Sequence, residues 1–80
     1  MAKKLSQDEK KFLKTLGERI RKIRKSQNLT QQDLGFQAQV HDNLVGRVER
    51  GEMGTNVLNL YKLAKVLNVD LKELLETKKR

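Results

Sequence analysis

Apolar residues recur along this chain at spacings of three and four, and no run alternates with polar ones over the length of a strand. Leu13, Leu16, Ile20 and Ile23 draw one stripe down a helix that Ser6 and Glu9 open as a capping box at about Gln7. Phe12 sits beside Leu16 on a neighbouring row, and Lys11, Lys14, Lys22 and Lys25 occupy the opposite, solvated face. Gly17 interrupts the pattern at about 1 kcal/mol relative to alanine, so it marks either a close contact or a weak point. Ser26, Gln27 and Asn28 end this helix. Thr30 with Asp33 is a second capping box, opening a short helix over about 31–38, with Leu29 just before the cap and Leu34 and Ala38 inward. Val40 plugs the next turn. A third helix covers about 42–49 with Leu44, Val45 and Val48 as apolar contacts, and Gly51 takes the usual position past a helix end. After Glu52, Met53, Gly54 and Thr55, Asn56 caps a fourth helix whose inner face is Val57, Leu60, Tyr61, Ala64 and Leu67. Asp70 with Glu73 forms a third box, and Leu71, Leu74 and Leu75 continue the core. The pattern predicts an all-α fold of five helices.

Eighty residues allow one small domain. A chain this size buries only roughly 60–65% of the surface its unfolded form exposes, so a dimer partner would help. Without cysteine, disulfides, iron–sulfur clusters and thiolate zinc sites are excluded, and a single histidine, His41, makes no metal site. No nucleophile and base are paired by spacing, so no enzyme, cofactor or small-molecule ligand is expected. The start lacks the apolar stretch of a signal peptide, and the chain is expected to be soluble and cytoplasmic. The net charge of +8 is uneven: residues 1–28 hold ten basic and three acidic side chains, residues 29–70 four and five, residues 71–80 four and two. Two basic ends around a neutral centre suit a polyanion, or are a solubilising excess. A flexible N-terminus over 1–6, a domain over 7–76 and a frayed basic tail over 77–80 complete the expected organisation.

Two short helices joined around Gln39, Val40 and His41 have the shape of a helix-turn-helix. An α-helix with its side chains fits a major groove about 12 Å wide. On the second helix Asp42, Asn43, Gly46, Arg47 and Arg50 are polar or small, while Leu44, Val45 and Val48 are free to face a core. Asn43 and Arg47, four apart, share a face. Asparagine can pair bidentately with adenine and arginine with guanine, and Gly46 between them would let the helix approach DNA closely. The plainer alternative is an amphipathic helix with a solvated face.

From about Leu16 to Leu75 the chain resembles the phage-repressor and Cro type of helix-turn-helix domain, the xenobiotic-response-element family. The matching segments are Gly17-Glu18-Arg19-Ile20-Arg21-Lys22-Ile23-Arg24, Leu29-Thr30-Gln31-Gln32-Asp33-Leu34, Val48-Glu49-Arg50-Gly51, Leu60-Tyr61-Lys62-Leu63-Ala64-Lys65-Val66-Leu67 and Val69-Asp70-Leu71-Lys72-Glu73-Leu74-Leu75, in register without a gap. The resemblance implies a lambda-repressor-like fold with an N-terminally extended first helix. It implies a bacterial or phage-encoded, nucleoid-associated regulator, a repressor by preference, that binds double-stranded DNA at a pseudo-palindromic operator as a homodimer. Gln31 would grip a phosphate at the start of the second helix, with Thr30 adding its hydroxyl or backbone amide. His41, Asp42, Asn43 and Arg47 would supply base and flanking contacts, and Arg50 and the loop after Gly51 would approach the backbone. Asp42 either accepts from cytosine or simply complements the helix dipole. Arg24 and Glu49 would form a structural ion pair between the first and third helices.

Departures from the family pattern carry their own expectations. Gln39 stands where glycine is usual, at a position that often needs positive φ. His41 replaces a serine or threonine cap, and Asp42 could take over by shifting the helix start one residue. Gly35 in place of alanine would loosen the second helix, Gly46 removes one typical DNA contact, and Thr55 replaces a frequent proline. Asp42 and the loss at Gly46 also favour an alternative, a protein-interaction module of the same fold. Membrane-surface binding is disfavoured, because the first helix needs its apolar stripe for the core. Val69, Leu71 and Leu75 are the candidate dimer surface, unless they close the monomer core. Phe12 and Leu13 need a cover, either the fifth helix or a second subunit.

Overall fold

The computed structural model describes residues 4–76. They form five helices and no strand: α1 (Gln7–Ser26), α2 (Gln31–Ala38), α3 (Asp42–Glu49), α4 (Val57–Leu67) and α5 (Leu71–Leu75). The expectations for residues 1–3 and for the tail 77–80 lie outside the described residues. Side chains set most of the helix starts. Ser6 Oγ accepts from the Glu9 amide at 3.1 Å and Glu9 Oε1 accepts from the Ser6 amide at 2.8 Å. Thr30 and Asp33 repeat the exchange at 2.9 Å each way. The bonds from Thr30, the amide's first, hold the Asp33 carboxyl below the usual carboxylate range. Asn56 accepts from the Asn59 amide at 2.8 Å, and the Asp70 amide donates to Glu73 at 3.2 Å. Helix α3 is the exception. His41 precedes it without a side-chain cap bond, and Asp42 does not take over, because it is already the first helical residue.

The ends of α1 to α4 share one geometry. Asn28, Gln39, Gly51 and Asn68 adopt left-handed φ of 60°, 61°, 76° and 62°. The next residue in each case, Leu29, Val40, Glu52 or Val69, donates its amide five residues back, to Arg24, Gly35, Arg47 or Ala64, at 2.9–3.2 Å. This is the Schellman arrangement, which satisfies carbonyls that have no partner inside the helix. Asparagine tolerates the left-handed region through its short polar side chain, but Gln39 carries strain of about 1 kcal/mol.

The core is built from Leu16, Ile20, Leu34, Val45, Val48, Leu60, Leu63, Leu67 and Leu74 with small Ala38 and Ala64. Two residues expected on the inner face of the fourth helix are not there. Val57 is 65% exposed and Tyr61 50%, whereas Leu63 is fully buried. The sequence of α4 is apolar on more than one face, and the stripe through Leu60, Leu63, Ala64 and Leu67 is the one that meets α2. Tyr61 instead lies under the ammonium of Lys65, 5.8 Å from its ring centroid. Leu13 is half-buried, and within the chain it is covered by a loop rather than by α5. The loop after α3 crosses it: a Cβ on Gly54 would lie 3.2 Å from Leu13 Cδ2, and one on Gly51 would lie 3.1 Å from Lys14 Cα.

Helix α1 holds α3 by two contacts. At Gly17 the helices approach so closely that a Cβ would sit 2.3 Å from the Val48 carbonyl oxygen and 2.5 Å from that of Glu49. The glycine is a close contact, not a weak point. Two turns on, Arg24 Nε donates to Glu49 Oε2 at 2.6 Å and its Nη2 to Oε1 at 3.0 Å, both side chains being buried. Arg24 Nη1 also donates to the Leu29 carbonyl at 2.6 Å. The expected ion pair is therefore present and fully hydrogen-bonded. The same helix closes the other ends of the bundle. Gln27 Nε2 donates to the Leu67 carbonyl at 2.7 Å, and the Arg19 guanidinium donates to the carbonyls of Glu73, Leu74 and Glu76 at the end of α5.

Three substitutions test this account by thermal unfolding. Gly17→Ala gains helix propensity but forces backbone apart, so stability should fall by about 2 kcal/mol; a rise would refute the close contact. Glu49→Ala strands a buried guanidinium and should cost about 3 kcal/mol; an unchanged Tm would remove the structural role of the pair. Gln39→Gly should stabilise the fold by about 0.5–1 kcal/mol, by relieving the left-handed strain.

Candidate nucleic-acid interface

The turn between α2 and α3 is tight because position 35 has no side chain. A Cβ there would lie 3.0 Å from the Val40 carbonyl oxygen and 3.1 Å from the Asp42 amide and Cα. Gly35 is buried and lets the turn close onto α2. The result is two short helices in fixed contact, with α3 seated by Val45, Val48 and Glu49 against the rest of the domain.

What α3 shows to solvent is polar. His41, Asp42, Asn43, Arg47 and Arg50 are all exposed, and Asn43 and Arg47 stand one turn apart on the outer face. His41 Nδ1 and Asp42 Oδ1 lie a loose 3.6 Å apart. Gly46, expected between Asn43 and Arg47 on the outer surface, is buried instead. The space its side chain would fill is taken by the ends of Gln31 and Arg50, 3.2 Å from a Cβ placed there. Gly46 thus makes room for two neighbouring polar side chains.

The N-terminus of α2 opens beside this face. Thr30 and Gln31, both expected to meet a phosphate, lie here. The Thr30 amide donates to the Asp33 carboxylate and its hydroxyl oxygen accepts from the Asp33 amide, so an anion here must draw the hydroxyl proton away from Asp33. The Gln31 and Gln32 amides, in the first turn, have no carbonyl behind them in the helix and suit an anion. Gln31 Nε2 donates to Glu49 Oε1 at 3.1 Å, which joins it to the buried pair. A groove of about 600 Å³ at this end is bordered by Lys25, Asn28, Thr30, Gln31, Gln32 and Asp42. A second, of about 700 Å³, runs past Gln31 between α1 and α3, where Lys14, Arg21 and Arg50 face Glu18 and Glu52.

Glu52 is the residue that sequence reasoning passed over as loop. Its carboxylate accepts from Arg50 Nε at 2.6 Å and lies 3.6 Å from Arg47 Nε. The hydrogen bond from Arg50, supported by the charges of both arginines against some loss of solvation, holds the Glu52 carboxyl below the usual range. The same bond and charge raise the Arg50 pKa further. The available signal was Gly51: a left-handed residue after a helix folds the next side chain back onto the last turn.

Comparison with known proteins agrees with this geometry. The helix-turn-helix family matches over residues 20–74. Control protein C.BamHI of Bacillus amyloliquefaciens is 34% identical over 61 residues, 75% of each chain. The crystal structure of the restriction-modification controller protein C.AhdI from Aeromonas hydrophila has a TM-score of 0.75 at 35% identity, covering 78% of this chain and 94% of that one. The P22 c2 repressor, solved in complex with a synthetic operator, has a TM-score of 0.74 at 35% identity, covering 79% of this chain and 96% of its own. With α2 and α3 in helix-turn-helix contact and a polar face on α3, the chain belongs to the Cro/C1-type helix-turn-helix family of DNA-binding transcriptional regulators.

Proposed function

We propose that this protein reads double-stranded DNA by laying α3 in the major groove, as a homodimer on a pseudo-palindromic operator, and that it acts there as a repressor. The observation that carries the reading is the single exposed polar face of α3, mounted rigidly beside the open N-terminus of α2. In this arrangement Asn43 and Arg47 face base edges, Asp42 and His41 flank them, and Arg50 approaches the backbone. Gln31 and Thr30 meet a phosphate through the Gln31 amide and the Thr30 hydroxyl. Phosphate contacts fix register, and base contacts select sequence.

One such unit reads only a few base pairs, so a twofold pair of subunits on half-sites about one helical turn apart supplies the rest. Apolar surface for a partner copy exists in the half-buried Val69, Leu71 and Leu75 and in the exposed Val57, Leu58 and Tyr61. The likeness to a protein named a repressor supports the direction of regulation proposed here. The likeness to one named a restriction-modification controller supports the same use of a small DNA-reading domain. Among the described residues no helix is long and apolar enough to cross a membrane.

Selection of duplexes from a random library at about 150 mM salt tests the reading. An enriched inverted repeat is expected, and no retained duplex would defeat it. On the selected operator Arg47→Ala should weaken binding roughly tenfold or more and relax the preference at one position per half-site. Gln31→Pro, which removes the phosphate-binding amide at the first helical position, where proline is tolerated, should weaken all duplexes alike.

A further inference from the structure

Helix α3 ends as α1, α2 and α4 do, but the residue that follows its reversal is of a different kind. At the other three ends the closing amide belongs to Leu29, Val40 or Val69, and each of these side chains packs against the core. At α3 it belongs to Glu52, whose side chain is 46% exposed. The φ of 76° at Gly51 and the 3.0 Å bond from the Glu52 amide to the Arg47 carbonyl fold the chain back over the last turn of α3. The carboxylate then meets Arg50 Nε at 2.6 Å, Arg50 Nη2 at 3.5 Å and Arg47 Nε at 3.6 Å. Two oxygens set against a guanidinium fork are what a phosphodiester also presents to arginine.

We infer that Glu52 is an internal competitor for DNA phosphate, which occupies Arg47 and Arg50 in the free protein and so sets how weakly unselected DNA is bound. The inference rests on α3 being the helix that contacts DNA. A phosphate reaching Arg50 must displace the carboxylate and leave two like charges close together. A guanine edge offers Arg47 two neutral acceptors, so on an operator only the phosphate at Arg50 competes with the carboxylate, whereas on unselected DNA both arginines turn to phosphate. Glu52 therefore subtracts more from general binding than from base-specific binding, and it is a discrimination residue although it is an acid.

The test compares wild type with Glu52→Gln on the selected operator and on a scrambled duplex, at 50 and 200 mM salt. The substitution is repeated in an Arg47→Ala, Arg50→Ala background, and thermal unfolding checks that every variant is folded. Glu52→Gln is expected to tighten the scrambled duplex about tenfold at the lower salt and the operator by about threefold, and to steepen the salt slope by about one. The gain should vanish when both arginines are absent. Equal gains with and without the arginines would mean a general charge effect and overturn the competitor while leaving DNA reading intact. No gain on the scrambled duplex overturns it too. A wild type and a Glu52→Gln variant that both ignore every duplex at 50 mM salt would overturn the DNA reading itself, and the competitor with it.

Discussion

The buried guanidinium of Arg24 fixes how α3 and the start of α2 sit on α1. It lies on α1, yet its partners are the Glu49 carboxylate at the end of α3 and the Leu29 carbonyl at the approach to α2. Through Glu49 the network reaches Gln31, the first residue of α2. One cation therefore ties the recognition helix, the helix before it and the scaffold into a single frame. Burying two charges is expensive, and a pair of this kind adds little net stability over apolar packing. Its contribution is geometric, because a bidentate fork accepts its carboxylate in one orientation only.

Around that frame, a chain with a small core relies on well-finished helix ends. Serine, threonine and asparagine side chains close three starts, left-handed residues close four ends, and Gln27 and Arg19 reach from α1 to the last carbonyls of α4 and α5. Each terminus would otherwise expose polar backbone groups without partners. The start of α3 is the least finished. His41 gives it no side-chain bond, and this bare end is also the one turned toward the polar face.

Much of this was legible in the residues themselves. The capping boxes at Ser6, Thr30 and Asp70 placed three helix starts, and the series Leu16, Ile20, Ile23 identified the packing side of α1. The strain at Gln39 was legible from the turn it occupies. Periodicity failed on α4, because Val57, Leu60, Tyr61 and Ala64 fit a helical stripe as well as Leu60, Leu63, Ala64 and Leu67 do, and only contact with α2 decides between them. The glycines were equally ambiguous: Gly17 read as a close contact or a weak point, Gly35 as a loosening and Gly46 as an opening for DNA, and each makes way for a different neighbour. Glu52 escaped notice for a related reason. Its place beside Arg47 and Arg50 depends on a chain reversal, not on sequence spacing along one helix.

The contact at Gly17 has a consequence for the DNA as well as for the protein. With the backbones of α1 and α3 touching, the recognition helix cannot roll or slide to follow a groove that is too wide, too narrow or wrongly tilted. Whatever adjustment a complex needs falls to the softer polymer. In the dimer proposed above, two such rigid heads would sample the bendability of the base pairs between half-sites, steps they never touch, and would favour operators whose centre twists and compresses cheaply.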